Sequence, residues 1–249
     1  HRDQPSLCAF EYLLPSCMGK LFEKEYCVIS ELMENPKRPC TFVLGGAKVS
    51  DAFKMMESVL RAGVADNILA GGLVGNIILV AQGKHIGHGS TDFIMKSNYG
   101  EFIDEAKALC AKHFDKITVP KDLAWEENGL RKEAEIGDIP VDICATDIGA
   151  KTAEMYKQII LDSSTVFVNG PMGIFEEDPT ELGTKVVWDA LGKTSAFTVV
   201  GGGDSITATT KYEKTDDISY ICTGGGALIR FLSGEELPVV KALRHGAKI

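Results

Sequence analysis

The feature that most limits how this chain can fold is a repeated unit: a short apolar run that ends in glycine. Runs of strand length lie at Thr41–Leu44, Asn67–Ala70, Lys116–Val119, Thr165–Val168, Phe197–Val200 and Ser219–Cys222. They carry no internal charge, as expected of strands covered on both faces in a parallel sheet. Between them, apolar residues recur at helical spacing: Phe53, Met56 and Leu60; Phe102, Ala106 and Leu109; Ala153, Tyr156 and Ile160. Strand and helix in alternation imply βαβ units. The expected fold is therefore α/β, a three-layer, doubly wound (Rossmann-like) sheet of about six parallel strands with helices on both faces.

Five of the six runs lead into glycine. The turns are Gly45-Gly46-Ala47-Lys48, Gly71-Gly72-Leu73, Asn169-Gly170-Pro171-Met172-Gly173, Gly201-Gly202-Gly203-Asp204-Ser205 and Thr223-Gly224-Gly225-Gly226. One such turn is explained by turn geometry alone. Five on one edge point to a ligand, because open α/β sheets bind at the carboxyl ends of their strands. Glycine lets backbone N–H groups approach an anion, and a helix N-terminus adds partial positive charge. A phosphate-bearing ligand is expected.

Composition narrows the partners. Glycine is high, 26 of 249 residues, without the three-residue period of collagen. Hydrophobic residues at 45% and charged residues at 24% are globular values and argue against disorder. The formal charge of −9 argues against nucleic acid, whose binders carry a basic stripe. The most apolar stretch, Ile68–Ala81, is too short for a membrane span of about 20 residues. Seven cysteines without a C-x-x-C read as reduced thiols of a cytoplasmic protein. No signal peptide is visible, and because the chain opens on His1 it is expected to be part of something longer.

The first forty residues differ from the rest, with helical stretches at Phe10–Leu14 and Met18–Ser30 interrupted by prolines. Residues 121–140 are polar and read as a surface excursion, a β-hairpin. His85 and His88 read as solvated loop residues, Trp125 and Trp188 as core plugs, and Glu126-Glu127 as a solvated acidic pair.

No P-loop, G-x-G-x-x-G or G-x-S-x-G motif occurs. What remains is a lysine in a glycine turn, Lys48, which can neutralise phosphate as a point charge. Asp204, at a triglycine helix start, is a hard-oxygen ligand suited to Mg²⁺ on a nucleotide, or else a helix N-cap. Glu176, behind Ile174-Phe175, can accept from ribose hydroxyls or is a plain surface acid.

At this point the residues become recognisable. Leu44-Gly-Gly-Ala-Lys-Val-Ser-Asp51, Gly71-Gly-Leu73, Val168-Asn-Gly-Pro-Met-Gly-Ile-Phe-Glu176, Val200-Gly-Gly-Gly-Asp-Ser205 and Ser219-Tyr-Ile-Cys-Thr-Gly-Gly-Gly-Ala227 occur in order. Together they resemble the second half of the phosphoglycerate kinase family, and Leu232–Pro238 resembles its C-terminal stretch. The resemblance implies reversible phosphoryl transfer between 1,3-bisphosphoglycerate and ADP, giving 3-phosphoglycerate and ATP, with Mg²⁺ carried on the nucleotide. It implies that Gly45, Gly46, Gly71, Gly72 and Ile174 line an adenine slot, with Gly149 a further nucleotide-pocket glycine. Lys48, Asn169 and Ser205 would contact phosphates, Glu176 the ribose and Asp204 the metal. The helix starts at Gly201, Gly202 and Gly203 and at Gly224, Gly225 and Gly226 would hold the phosphoryl group in transfer, with Lys48, Gly203 and Gly226 as catalytic groups. Arg2 would bind the phosphate of 3-phosphoglycerate.

The same resemblance divides the chain into residues 1–40 (the end of an N-terminal domain and an interdomain helix), 41–230 (the nucleotide-binding domain) and 231–249 (a C-terminal tail). A cytoplasmic monomer is expected, binding neither nucleic acid nor membrane, and inactive without its N-terminal half. The competing readings are a free-standing adenine-nucleotide-binding module and, more remotely, an NAD-dependent oxidoreductase that lacks its fingerprint. Two positions depart from the family pattern. Ala52 stands where many members carry a second lysine, and Lys54 lies about 200° round the helix from it, which points to an archaeal-like branch. Ala150 stands where many carry proline. Cys222 reads as a buried, inert thiol.

Overall fold

The computed structural model describes residues 1–247. Nine strands and eleven α-helices form within them. The strands are β1 (Cys40–Leu44), β2 (Asn67–Ala70), β3 (Ile117–Thr118), β4 (Asp122–Glu127), β5 (Leu130–Glu135), β6 (Asp147–Ile148), β7 (Thr165–Asn169), β8 (Phe197–Gly201) and β9 (Tyr220–Ile221). The helices are α1 (Pro5–Cys8), α2 (Lys20–Glu34), α3 (Val49–Arg61), α4 (Gly72–Ala81), α5 (His88–Lys96), α6 (Phe102–His113), α7 (Ala150–Leu161), α8 (Leu182–Leu191), α9 (Gly203–Lys211), α10 (Gly226–Leu232) and α11 (Pro238–Gly246).

Each of the six apolar runs contributes a strand to one sheet, ordered β3-β2-β1-β7-β8-β9, in which every pairing is parallel. Its residues alternate between two cores, because successive side chains leave opposite faces of a strand. Phe42, Leu44, Ile68, Phe167 and Val199 pack with α2, α3, α4, α6 and α10. Val43, Leu69, Val166, Val168 and Val200 pack with α7, α8 and α9. This is the expected three-layer α/β architecture. The chain leaves β1 outward to β3 and then returns to β7 beside β1, so the order reverses between β1 and β7.

The excursion after β3 is a hairpin, as its polar sequence indicates, turned by Asn128-Gly129 with both residues at positive φ. It is less superficial than expected. Asp122, Leu123, Ala124 and Trp125 of β4 are buried, and β6 pairs along it to complete a three-stranded antiparallel sheet. Polarity of residues 121–140 therefore describes β5, the outer strand, and not β4. At the N-terminal end, α2 starts at Lys20 after Gly19 and runs to Glu34, later and longer than the sequence pattern indicates. Phe10–Tyr12 forms only a 3-10 turn.

Trp125 and Trp188 are buried, and Trp188 Nε1 donates to Thr209 Oγ1 at 2.9 Å. His85, His88, Glu126 and Glu127 are exposed. Cys222 is buried, and burial pushes its thiol up to about 12, so it stays protonated and unreactive. No helix in the described residues is long and apolar enough to cross a membrane.

Candidate functional site

The site lies at the carboxyl ends of β1, β2, β7 and β8, beside the point where strand order reverses. Its centre is the Asn169–Gly173 loop, which crosses in front of the two glycine turns and bonds to both. Gly45 N–H donates to Asn169 O at 3.0 Å and Gly46 N–H to Pro171 O at 2.8 Å. Gly71 N–H donates to Leu44 O at 2.9 Å and Gly72 N–H to Met172 O at 2.8 Å. Four glycine amides expected to face an anion are thus engaged by carbonyls within the chain. What these glycines supply is clearance. A Cβ on Gly45 would sit 2.1 Å from Pro171 O, and one on Gly71 would sit 2.4 Å from Met172 Sδ.

A narrow cleft opens beside this crossing, lined by Gly45, Gly46, Lys48, Asn169, Gly170, Gly202, Asp204 and Ser205. Lys48 Nζ stands 3.7 Å from Asp204 Oδ2, both side chains more than half exposed. Asp204 occupies the first turn of α9, while the N-cap is Gly202, at φ 89°, and no side chain caps the helix. Capping as the role of Asp204 is therefore ruled out here, and the first-turn N–H groups of α9 have no partner within the helix. Ser205 differs from expectation. It is fully buried, and its Oγ accepts from Gly170 N–H at 2.7 Å, which pins the crossing loop to α9.

The cleft continues into a cavity of about 440 Å³. Gly46, Gly72, Ile174, Glu176 and Asp204 reach its wall, as do Leu73, Asn76, Ser90, Phe93 and the Cys144–Ile148 segment. Its surface is mainly apolar, with exposed Phe93 and Ile174 beside the opening, and a flat base fits such walls. Ser90 and Asn76 are turned to the protein: Ser90 Oγ accepts from Ala145 N–H at 2.7 Å, and Asn76 Nδ2 donates to Ala145 O at 3.4 Å. Phe93 was not legible in the sequence, since α5 carries no motif and contributes through packing alone.

Several expected site residues lie elsewhere. Gly149 is the N-cap of α7, where a Cβ would collide with the Asp122 carboxylate. That carboxylate caps the helix from β4, accepting from Lys151 N–H at 2.9 Å and Thr152 N–H at 2.8 Å. Gly201 packs beneath Leu228. The Thr223–Gly226 loop does not line the cleft. The Glu25 carboxylate from α2 accepts from its Thr223 N–H and hydroxyl, and His1 stands against Gly226. Arg2 is exposed beside α1, its carbonyl 3.6 Å from Cys8 Sγ. Gly203 opens α9 with open space around its Cα.

Lys48 is the cation at the cleft. Ala52 is buried on the inner side of α3, and Lys54 is exposed on the outer side. Ala150 N–H donates to Glu133 Oε2 at 3.0 Å, a bond that proline would abolish. Among the described residues no group of three or more His, Cys, Asp or Glu side chains could hold a metal ion. A lone, half-exposed carboxylate such as Asp204 fits Mg²⁺ that keeps its waters and arrives on phosphate oxygens, not a metal held in a protein cage.

Fold and site define a doubly wound α/β protein with a ligand cleft at the switch point of its sheet, the class to which many nucleotide-handling proteins belong. Comparison with known proteins narrows this to one family: residues 1–235 match the family model of phosphoglycerate kinase, a phosphotransferase, and the chain belongs to that family. The phosphoglycerate kinase of Methanothermus fervidus is 40% identical over all of this chain, and that of Thermococcus kodakarensis is 41% identical over 98% of it. The crystal structure of phosphoglycerate kinase from Pyrococcus horikoshii OT3 superposes with a TM-score of 0.91 at 38% identity, covering 100% of this chain and 62% of its own. That from Coxiella burnetii gives 0.88 at 30% identity, covering 98% and 63%. The matching sequences include archaeal relatives, in line with the departure at Ala52. The chain spans about 60% of the length of the curated relatives it matches.

Proposed function

We propose that this chain is the Mg-nucleotide-binding part of a phosphoglycerate kinase, which transfers a phosphoryl group reversibly between 1,3-bisphosphoglycerate and ADP. The observation that carries the reading is the junction of two environments. An apolar cavity of about 440 Å³ opens onto a cleft where Lys48, Asp204 and the uncapped N-terminus of α9 meet. The base occupies the cavity against Ile174, Gly46 and Gly72, and Glu176 at its rim accepts from the ribose. The phosphates extend into the cleft towards Lys48, the α9 amides and Asn169. Asp204 would hold Mg²⁺ through a carboxylate oxygen, and the ion would offset phosphate charge when bound.

Phosphoryl transfer asks for in-line positioning and for compensation of charge on the equatorial oxygens. Lys48 and the α9 amides supply that compensation on the nucleotide side. No general base is needed, because the acceptor carboxylate or ADP phosphate is already ionised. The acidic substrate would be bound by Arg2 and by an N-terminal domain, with residues 1–40 as the connection, 41–230 as the nucleotide unit and 231–249 as a tail. Gly224–Gly226 approach the phosphoryl group only if Glu25 and His1 yield that loop. We place the reaction in the cytoplasm, a setting consistent with seven free cysteines, and the protein as a monomer.

Calorimetric titration with MgADP tests the binding role, and a coupled assay tests turnover. Micromolar to millimolar binding with negligible turnover by the 249-residue chain is the expected result. Absence of binding sinks the reading. Normal turnover refutes the assignment of this chain as an incomplete part, and binding in a full-length protein without turnover favours a regulatory module.

A further inference from the structure

One wall of the cavity is held by a buried charge pair that lies outside the phosphate cleft. Arg131, on β5, turns inward, with its side chain 16% exposed, and meets Asp147, whose side chain is wholly buried. Its Nη1 donates to Asp147 Oδ2 at 2.9 Å and to Pro179 O at 3.0 Å, and its Nη2 donates to Ile148 O at 2.8 Å. Asp147 Oδ2 also accepts from Gly183 N–H at 2.8 Å. One guanidinium therefore joins the hairpin, β6, the 3-10 turn at Asp178–Thr180 and, through Asp147, the start of α8.

Two lining segments of the cavity meet at that junction. Thr146, Asp147 and Ile148 form one wall. An adjoining segment, Met172–Glu176, is tied to it where Ile174 N–H donates to Thr146 O at 2.8 Å and Thr180 Oγ1 donates to Ile174 O at 2.7 Å. Gly173 approaches so closely that a Cβ there would lie 2.5 Å from Asp147 Oδ1. Asp147 Oδ1 itself is buried and has no hydrogen-bond partner. A half-satisfied buried pair is a poor device for stability, since breaking even with an apolar replacement is the usual outcome. Its fixed, multidentate geometry is what an apolar contact cannot supply.

We propose that Arg131 and Asp147 are positioning residues for the nucleotide site: the pair anchors the joined Thr146–Ile148 and Met172–Glu176 segments that line it, so nucleotide affinity depends on Asp147 carrying its charge. This rests on reading the cavity as the nucleotide site. Burial raises the Asp147 carboxyl from 3.8 to about 6, against the lowering pull of Gly183 N–H and Arg131. The other ionisable groups around it are Glu133 on β5, which pairs with Arg131, Tyr212 at the end of α9, and Glu181 before α8, which is paired with Lys185 and Lys211. Arg131 is the cation in contact with Asp147 among the described residues.

The sign separates positioning from simple stability. Because the native carboxyl is raised, the folded chain holds more protons than the unfolded chain from about pH 4 to about pH 6. The contribution of Asp147 to stability therefore grows as pH falls through that window. Nucleotide affinity moves the other way, since protonation removes the charge that holds Arg131.

Calorimetry of MgADP binding across pH, with melting curves on the same samples, tests this in the whole chain. At about pH 7.5, Asp147→Asn and Arg131→Met are expected to bind about tenfold more weakly than the wild type, with Arg131→Lys in between. The ratio of wild-type to Asp147→Asn affinity is expected to fall towards one by about pH 5. Protonation of the ligand's own phosphates cancels in that ratio. A ratio that stays constant with pH, or folded variants that bind like the wild type, overturns the positioning role alone. If Arg131→Met does not fold, Arg131→Lys and the pH-dependent ratio decide. A wild type that binds no MgADP overturns both this inference and the reading beneath it.

Discussion

Two glycine-rich helix starts look alike in the sequence and differ in the fold. Gly201-Gly202-Gly203 leads into α9, and Gly224-Gly225-Gly226 leads into α10. At α9 no side chain caps the helix, and the space in front is a cleft shared with Lys48. At α10 the preceding Thr223 is held by Glu25 from α2, with His1 against Gly226. A third start, α7 behind Gly149, is capped by Asp122. Glycine makes a helix N-terminus approachable, and tertiary structure decides whether a ligand or one of the chain's own carboxylates approaches it.

The sharpest way to test this contrast is to add one methyl group on each side. Gly170, in the loop that closes the α9 cleft, sits at φ 94°, and a Cβ would fall 2.2 Å from Gly45 O. Gly170→Ala is expected to cost more than about 3 kcal/mol in urea denaturation, through strain and backbone collision together. Gly225, at φ 52° and ψ −119°, faces open space, and Gly225→Ala is expected to cost about 2 kcal/mol through backbone strain alone. Equal losses would show that the two loops are equally packed.

Charge provides the next test. Lys48→Ala is expected to weaken MgADP binding by about thirtyfold in calorimetry, the worth of a charge-assisted contact to phosphate. An unchanged affinity would move the phosphates away from α9. Asp204→Asn is expected to reduce affinity by about tenfold for MgADP and much less for ADP with the metal chelated. Equal effects with and without Mg²⁺ would remove Asp204 from the metal. The smallest effect is expected on the other side of the comparison. Glu25→Gln keeps an acceptor for Thr223 and is expected to cost below about 1 kcal/mol in stability, with MgADP affinity unchanged. A clear change in affinity would tie the α10 loop to the nucleotide after all.

The sequence reached further into the fold than into the site. Six apolar runs became six parallel strands because a strand buried on both faces must be apolar along its length, whatever surrounds it. The hairpin was legible from Asn128-Gly129 and its polar context, but the burial of β4 was not, since it depends on the sheet that β4 joins. In the site, Lys48, Asp204, Glu176 and Ile174 do border one continuous cleft and cavity. Phe93, Asp147 and Arg131 were missed as contributors. They act through contacts between segments far apart in the chain, and no spacing rule encodes such contacts.

What the sequence determined by itself was periodicity: where strands and helices alternate, and where the backbone is bare enough for close approach. Only the tertiary structure decided what fills each bare place. The amides of Gly45, Gly46, Gly71 and Gly72 turn to carbonyls of the chain, Asp122 caps α7, Glu25 holds Thr223 in the loop ahead of α10, and the α9 terminus is left facing a cleft. The physical reason is that a glycine specifies permission, through its missing Cβ, whereas a hydrogen bond needs a partner, and only folding brings the partner within reach.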